Sequence, residues 1–270
     1  MHQPLAGNDR TWPLPNVPAA MRMKWLDLLF IHYPVEPEEL ECHLPTGLQL
    51  DTFNGQAFLG IVPFRMEDVA PRRCPSLPGI SAFPELNVRT YVIANGKPGV
   101  WFFSLDATSR LAVRVARWSF HLPYMDARIS SRFNDPWYEY DAVRTHRGEP
   151  PARFHAQYRA TSEQFRARPG SLEFWLTARY CLYAVNRQGE LLRGDIDHVP
   201  WPLQNAEAKI SDMDMTSQIN VQLPDVEPHL LFVSSIAVVA WRNTLVAAES
   251  PVVPELAPER KKARFIPESA

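Results

Sequence analysis

The most regular alternation of polar and apolar positions runs through residues 83–110, FPELNVRTYVIANGKPGVWFFSLDATSR. Successive side chains of a strand point to opposite faces, so Glu85, Asn87, Arg89 and Tyr91 share one face and Leu86, Val88, Thr90 and Val92 the other. Asn95-Gly96 between the two halves tolerates the positive φ of a tight turn, which predicts a hairpin over Glu85 to Asp106. A second hairpin is predicted from Leu48–Phe53 and Ala57–Phe64 around Asn54-Gly55. Met23–His32 reads as a strand closed by Pro34, and Pro37-Glu38-Glu39 opens a short helix to His43. Glu67 to Ala82 is proline-rich and without periodicity, the pattern of an ordered loop of about sixteen residues that walls or lids a cavity. Arg110, Arg114 and Arg117 recur at helical spacing behind a Thr108 or Ser109 cap, predicting a helix that Leu122-Pro123-Tyr124 ends.

Further along, Trp137–Val143 and Arg153–Ala160 form an expected antiparallel pair, Ser171–Thr177 a short capped helix, and Arg179–Val185 with Glu190–Arg193 a hairpin. His198–Gln204 is a proline-stiffened aromatic loop, Asn205–Asp212 is undecided, and His229–Trp241 is a long β-rich segment. Many short strands and few short helices predict a β-rich α+β fold, closed or nearly closed around its centre. One domain is expected over residues 21–250, with a Pro-rich arm at 1–20 and an exposed tail at 251–270.

Composition narrows the function classes. A chain of 270 residues with a net charge of -2 lacks the basic field that nucleic acid calls for, although residues 110–168 hold eleven Arg against six acidic groups. That local excess allows an anion site. Three cysteines without paired spacing argue against a disulfide framework or a cysteine zinc site. No leader pattern opens the chain and no apolar run reaches membrane length, so a cytoplasmic protein without a membrane partner is expected. Unpaired β edges make a homodimer an expectation as well.

The motifs of nucleotide binding and of the α/β-hydrolase elbow are absent, the eight histidines are scattered, and no cofactor or metal is expected. Asp195-Ile196-Asp197-His198 fits a turn hydrogen-bond network as well as it fits ligation. The stronger candidates lie on the polar face of the hairpin. Residues four apart on a strand are about 13 Å apart, so Glu85 and Arg89 would flank a ligand rather than pair, with Arg89 or Arg110 holding an anionic group and Glu85 accepting hydrogen bonds or exchanging a proton. A solvated face, or pairing of each residue with a neighbouring strand, remains the alternative. Further candidates are Asn87, Tyr91, His32, His198, Trp201 and Gln204.

Six segments in order, LLFIHY, LPTGLQLDTFNGQAFLGIVPF, ELNVRTYV, GVWFFSLDA, RYCLYA and HVPWPLQ, resemble the YqjF-like family of bacterial proteins of unknown function, over roughly residues 18–245. The resemblance implies an acetoacetate-decarboxylase-like fold, a β-barrel or cone around a small-molecule cavity. Decarboxylases of that type use a Schiff-base lysine, a second lysine and an assisting glutamate. Laid on this chain, the pattern puts Glu85 near the glutamate and Arg110 and Leu111 near the lysine pair. Arginine stays protonated and forms no Schiff base, so the resemblance implies the cavity without that chemistry. Three readings follow: a protein that binds or transforms a small organic anion, a scaffold whose interior is filled by Trp101, Phe103, Trp175 and Trp201, and decarboxylation through a displaced lysine such as Lys209.

Overall fold

The computed structural model describes residues 9–77, 80–109, 114 and 120–247. The first half contains β1 (Met21–Val35), α1 (Pro37–Glu41), β2 (Gln49–Leu50), β3 (Ala57–Pro71), β4 (Phe83–Ala94) and β5 (Lys97–Ala107). The second contains β6 (Tyr124–Asn134), β7 (Trp137–Arg144), β8 (Arg153–Ala160), α2 (Leu172–Thr177), β9 (Cys181–Val185), β10 (Leu191–Asp197), β11 (Gln204–Met213), a 3-10 turn at Ser217–Ile219, β12 (His229–Ala240) and β13 (Thr244–Leu245).

Strand β5 is a fork. One edge pairs with β4 along its length; the other pairs with β9 at Val100 and Trp101 and with β6 at Leu105–Ala107, both in parallel. All other named ladders are antiparallel. Each prong returns to β12. The β9 prong does so through β10, closing a ring of seven strands, and the β6 prong through β7, β8 and β11, closing a ring of nine.

The two rings share the wall β12–β1–β3–β4–β5, which therefore has an interior on both faces. A strand buried on both sides must be apolar without interruption, and Leu28, Leu29, Phe30 and Ile31 are all buried. Leu28, Phe30, Val62 and Phe64 face the seven-stranded ring together with Leu192 and Trp201. Leu29, Ile31, Leu59, Ile61, Leu86 and Val88 pack against Tyr140, Phe154 and Tyr158 of the nine-stranded ring. Alternation in β4 thus separates two cores, and the face carrying Glu85 is buried rather than solvated.

The central hairpin turns at Asn95-Gly96 with φ of 48° and 67°, as the side-chain chemistry requires. Ser171 Oγ accepts a hydrogen bond from Phe174 N and caps α2. Two expectations need correction, and two further strands, β6 and β11, go beyond them. Asn54-Gly55 makes a tight turn bridging Phe53 to Gln56, but β2 pairs with β4 and not with β3, on the stretch at Val92 and Ile93 that lies beyond the last β3 partner, Thr90. The loop expected from Glu67 begins only after Pro71, since β3 continues against Met21–Leu26 across bulges. There Asp27 and Asp68 take φ of 52° and 54°, and the phase of β1 shifts from Met23 and Trp25 inward to Leu28 and Phe30 inward. Strand β6 was not anticipated: after Ala127 its side chains are mostly exposed and carry no apolar alternation. The undecided segment is strand β11, paired with β8.

Arg10 pairs with Asp195 and donates to Ile196 O of β10 at 2.8 Å, and Ala20 N donates to Ala240 O of β12 at 2.8 Å. The expected helix at Arg110–Arg117, apart from Arg114, and the tail at 251–270 lie outside the described residues. Among the described residues no helix is long and apolar enough to cross a membrane.

Candidate functional site

The odd-numbered residues of β4 place a polar line along the inside of the seven-stranded ring. Register sets Glu85 opposite Phe64, Asn87 opposite Val62 and Arg89 opposite Gly60 on β3, and the same Gly60 opposes His32 on β1. A Cβ on Gly60 would sit 3.4 Å from Arg89 Cγ, 3.4 Å from His32 Cδ2 and 3.5 Å from the Tyr91 hydroxyl. Glycine here lets three polar side chains converge, a signal that FLGIV in the sequence did not reveal. Tyr91 Oη and His32 Nε2 are hydrogen-bonded at 2.6 Å.

At the other end of the line, Tyr124 Oη donates to Glu85 Oε2 at 2.9 Å and Asn87 hydrogen-bonds the same carboxyl group. Burial, and then the charge of Asp106, push Glu85 up to about 8 against those two hydrogen bonds. Glu85 is therefore a neutral acid near pH 7. His32 is held well below the usual histidine range, first by burial and then by the positive charges of Arg89 and His229, so its imidazole is neutral too.

Arg89 stands beside these groups without a counter-charge among the described residues. It is only 9% exposed, yet among the described residues it enters no ion pair and no hydrogen bond. The rings of Phe30 and Tyr91 lie 5.2 and 5.8 Å from its guanidinium carbon. Its Nε, His32 Nδ1 and Asn87 Oδ1 are buried without partners. Each such atom costs about 1–3 kcal/mol when nothing meets it.

The remaining candidates are placed differently. Trp201 shares the ring interior, stacked on Trp25 at 5.8 Å and edge-on to Phe30 at 5.1 Å, with its Nε1 donating to Thr177 O. His198 is buried and stacked on Tyr180 at 4.6 Å, with Nδ1 2.7 Å from Val199 O, the environment of a satisfied structural histidine. Gln204 donates to Ser162 O at the start of β11. Arg110 lies outside the described residues. Lys209 is exposed on the outer β11 over the Trp137 ring, and Lys24 pairs with Asp68 at the surface.

Sequence reasoning missed three groups. Tyr124 reaches Glu85 from a strand it did not anticipate. Arg179 lies over Tyr91 and Trp175 and pairs with Asp51 at 2.5 Å. Arg144 and Asp106 form a fully buried bidentate pair at 2.7 and 2.8 Å inside the nine-stranded ring, with Ser104 and Gln218 as further partners of Arg144. These partners are 38 or more residues apart in the chain, so no local spacing could announce them.

Asp195, set in a possible ligand cluster by sequence alone, is taken up by Arg10, Arg193 and Trp12. Among the described residues no group of three or more His, Cys, Asp or Glu side chains is arranged to hold a metal.

This strand-rich barrel has the fold of acetoacetate-decarboxylase-like proteins. Solved structures that share it include the enduracididine biosynthesis enzyme MppR with HEPES buffer bound, with a TM-score of 0.60 and 15% identity over 92% of this chain and 100% of that one. Acetoacetate decarboxylase from Legionella pneumophila follows at 0.56 and 14% identity, over 90% of this chain and 98% of that one. The chain belongs to the DUF2071 family of uncharacterised conserved proteins, whose model matches residues 22–237. It is 46% identical to the uncharacterised protein YqjF of Bacillus subtilis over 221 residues, which are 82% of this chain and 90% of that protein.

Proposed function

We propose that the protein binds a small organic anion inside the seven-stranded ring, in the cytoplasm, with its negative group on Arg89. The observation that carries this reading is a buried guanidinium that meets no counter-charge among the described residues. A buried charge left unpaired is worth on the order of several kcal/mol against the fold, and a bound carboxylate offsets that by accepting two parallel hydrogen bonds. Glu85, as a neutral acid, donates a hydrogen bond to an oxygen at the other end of the guest, and Asn87 and His32 supply their free polar atoms between. Likeness to MppR complexed with pyruvate, at a TM-score of 0.58, supports a cavity of this kind. Schiff-base chemistry is not part of the proposal: among the described residues Lys24 and Lys209 are turned to solvent, and Lys97 stands at the end of the β4–β5 hairpin opposite Ala94.

A scaffold with a self-filled interior is the second reading, favoured by the stack of Trp25, Phe30 and Trp201 across the ring. Thermal denaturation against a panel of small carboxylates separates the two. Binding to Arg89 requires that at least one acid raises the melting temperature of the wild type and fails to raise that of Arg89→Gln. A panel with no effect on either protein leaves the scaffold reading.

A further inference from the structure

A short helix meets five strands of a seven-stranded ring only by lying across its end, and α2 does so. Leu172, Trp175 and Leu176 pack with Phe58 of β3, Tyr91 of β4, Val100 of β5 and Leu182 of β9. Register sets Tyr91, Val100 and Leu182 opposite one another, so these side chains point together into the ring. On the far side Glu173 faces His229 of β12, with Oε1 and Nε2 3.6 Å apart. Six residues thus stop the ring over the Tyr91 end of the polar line.

The stopper is fastened unevenly. At its C-terminal end Leu176 and Thr177 are buried, Thr177 O accepts from Trp201 Nε1 at 2.8 Å, and Arg179 just beyond pairs with Asp51. No residue of the helix before Leu176 is buried, and Pro169-Gly170 leads into it with Gly170 at φ 87°. Besides the apolar packing and the Trp175–Tyr91 ring contact at 4.9 Å, Glu173 is what joins this end to β12.

Two imidazoles stand beneath the loose end. His32 and His229 are cross-strand partners on β1 and β12, with ring centres 6.4 Å apart. His32 Nδ1 and His229 Nε2 are buried without a hydrogen-bond partner among the described residues. The guanidinium carbons of Arg89 and Arg179 already lie 5.8 and 5.0 Å from the ring of Tyr91, whose hydroxyl is bonded to His32. Glu173 and Asp51 are the carboxylates that meet this group, and Asp51 is bound to Arg179. Protonating both imidazoles therefore gathers four cations against two carboxylates under the closed helix.

We propose that α2 is a stopper opened by acid: proton uptake by His32 and His229 lifts its N-terminal end from the ring, turning about Ala178. Burial holds both imidazoles below the usual histidine range, so the closed state binds these protons more weakly than the lifted one, and a fall in pH through about 6.5 favours lifting. Glu173 opposes this by drawing a proton to His229. The device goes beyond the anion reading of Arg89 and does not depend on it.

Hydrogen exchange of the full chain, read by mass spectrometry as protection of amides 172–178 at pH 7 and pH 5 after correction for intrinsic rates, tests it without a ligand. A histidine that titrates near 6.5 only when the helix is lifted increases opening at pH 5 by up to about thirtyfold. Protection of α2 is expected to fall at least about tenfold, while that of residues 29–31 in β1 holds. His229→Gln reduces this fall, and Glu173→Gln enlarges it by removing the carboxylate from His229. Equal protection at both pH values overturns the proposal, and so does an equal fall in α2 and β1, which is unfolding of the whole barrel. Falls of the same size in wild type and both variants overturn it likewise. Since no guest takes part, each of these failures leaves the reading of Arg89 where the carboxylate panel puts it.

Discussion

Replacing Glu85 by glutamine tests the electrostatics of the interior in a way that needs no ligand. Glutamine keeps the shape of the protonated acid and cannot ionise. The folded state holds the Glu85 proton up to about pH 8, whereas an unfolded chain releases it near 4.5. Above pH 4.5 the unfolded state therefore binds fewer protons than the folded one, and wild-type stability declines with pH until the folded group itself ionises. Each pH unit in that window costs about 1.36 kcal/mol. The wild type should thus lose, relative to Glu85→Gln, almost nothing at pH 4.5, about 3 kcal/mol by pH 7, and at most about 5 kcal/mol above pH 8. The extra amide proton of glutamine shifts all points by one constant amount, so the slope carries the test. Urea unfolding of both proteins between pH 5 and 9 measures it. A difference that stays flat across this range would refute a buried neutral acid at position 85.

The buried Arg144–Asp106 pair should behave asymmetrically: Arg144→Met alone costs about 3–5 kcal/mol by stranding a carboxylate, while Arg144→Met with Asp106→Leu recovers most of that loss in the same urea assay. Equal losses in the single and double variants would contradict the assignment. Gly99→Ala places a methyl 2.7 Å from the backbone oxygen and the Sγ of Cys181 and 2.8 Å from Tyr183, so the parallel β5–β9 pair must part. A loss of about 3 kcal/mol or more is expected, and an unchanged melting temperature would show that the pairing is not as described.

Much of the fold was legible because alternation and turn chemistry act locally. Asn95-Gly96, the Ser171 cap and the alternating β4 all follow from residues within a few positions of one another. What was not legible depended on pairing at a distance. The bulges at Asp27 and Asp68 break the two-residue period of β1 and β3, so MKWLDLLFIH carries a strand whose inward face changes midway. Strand β2 chose β4 over the neighbour that its turn pointed to, on the stretch of β4 past Thr90 that β3 leaves unpaired. The site divides along the same line. Glu85, Asn87, Arg89 and Tyr91 could be grouped from their spacing, and the structure sets His32 beside them through Gly60. Tyr124 and Arg179 reach the group across the ring and left no trace in sequence spacing.

The wall common to both rings has a consequence for how such a protein can change. Along β4, even positions hold one compartment together and odd positions furnish the other. On the proposed reading of the odd face, a different guest would be met by substitutions at every second residue while the intervening ones keep the fold intact. Variation in recognition and constancy in stability are thereby interleaved on a single strand, each free of the other by the width of one backbone.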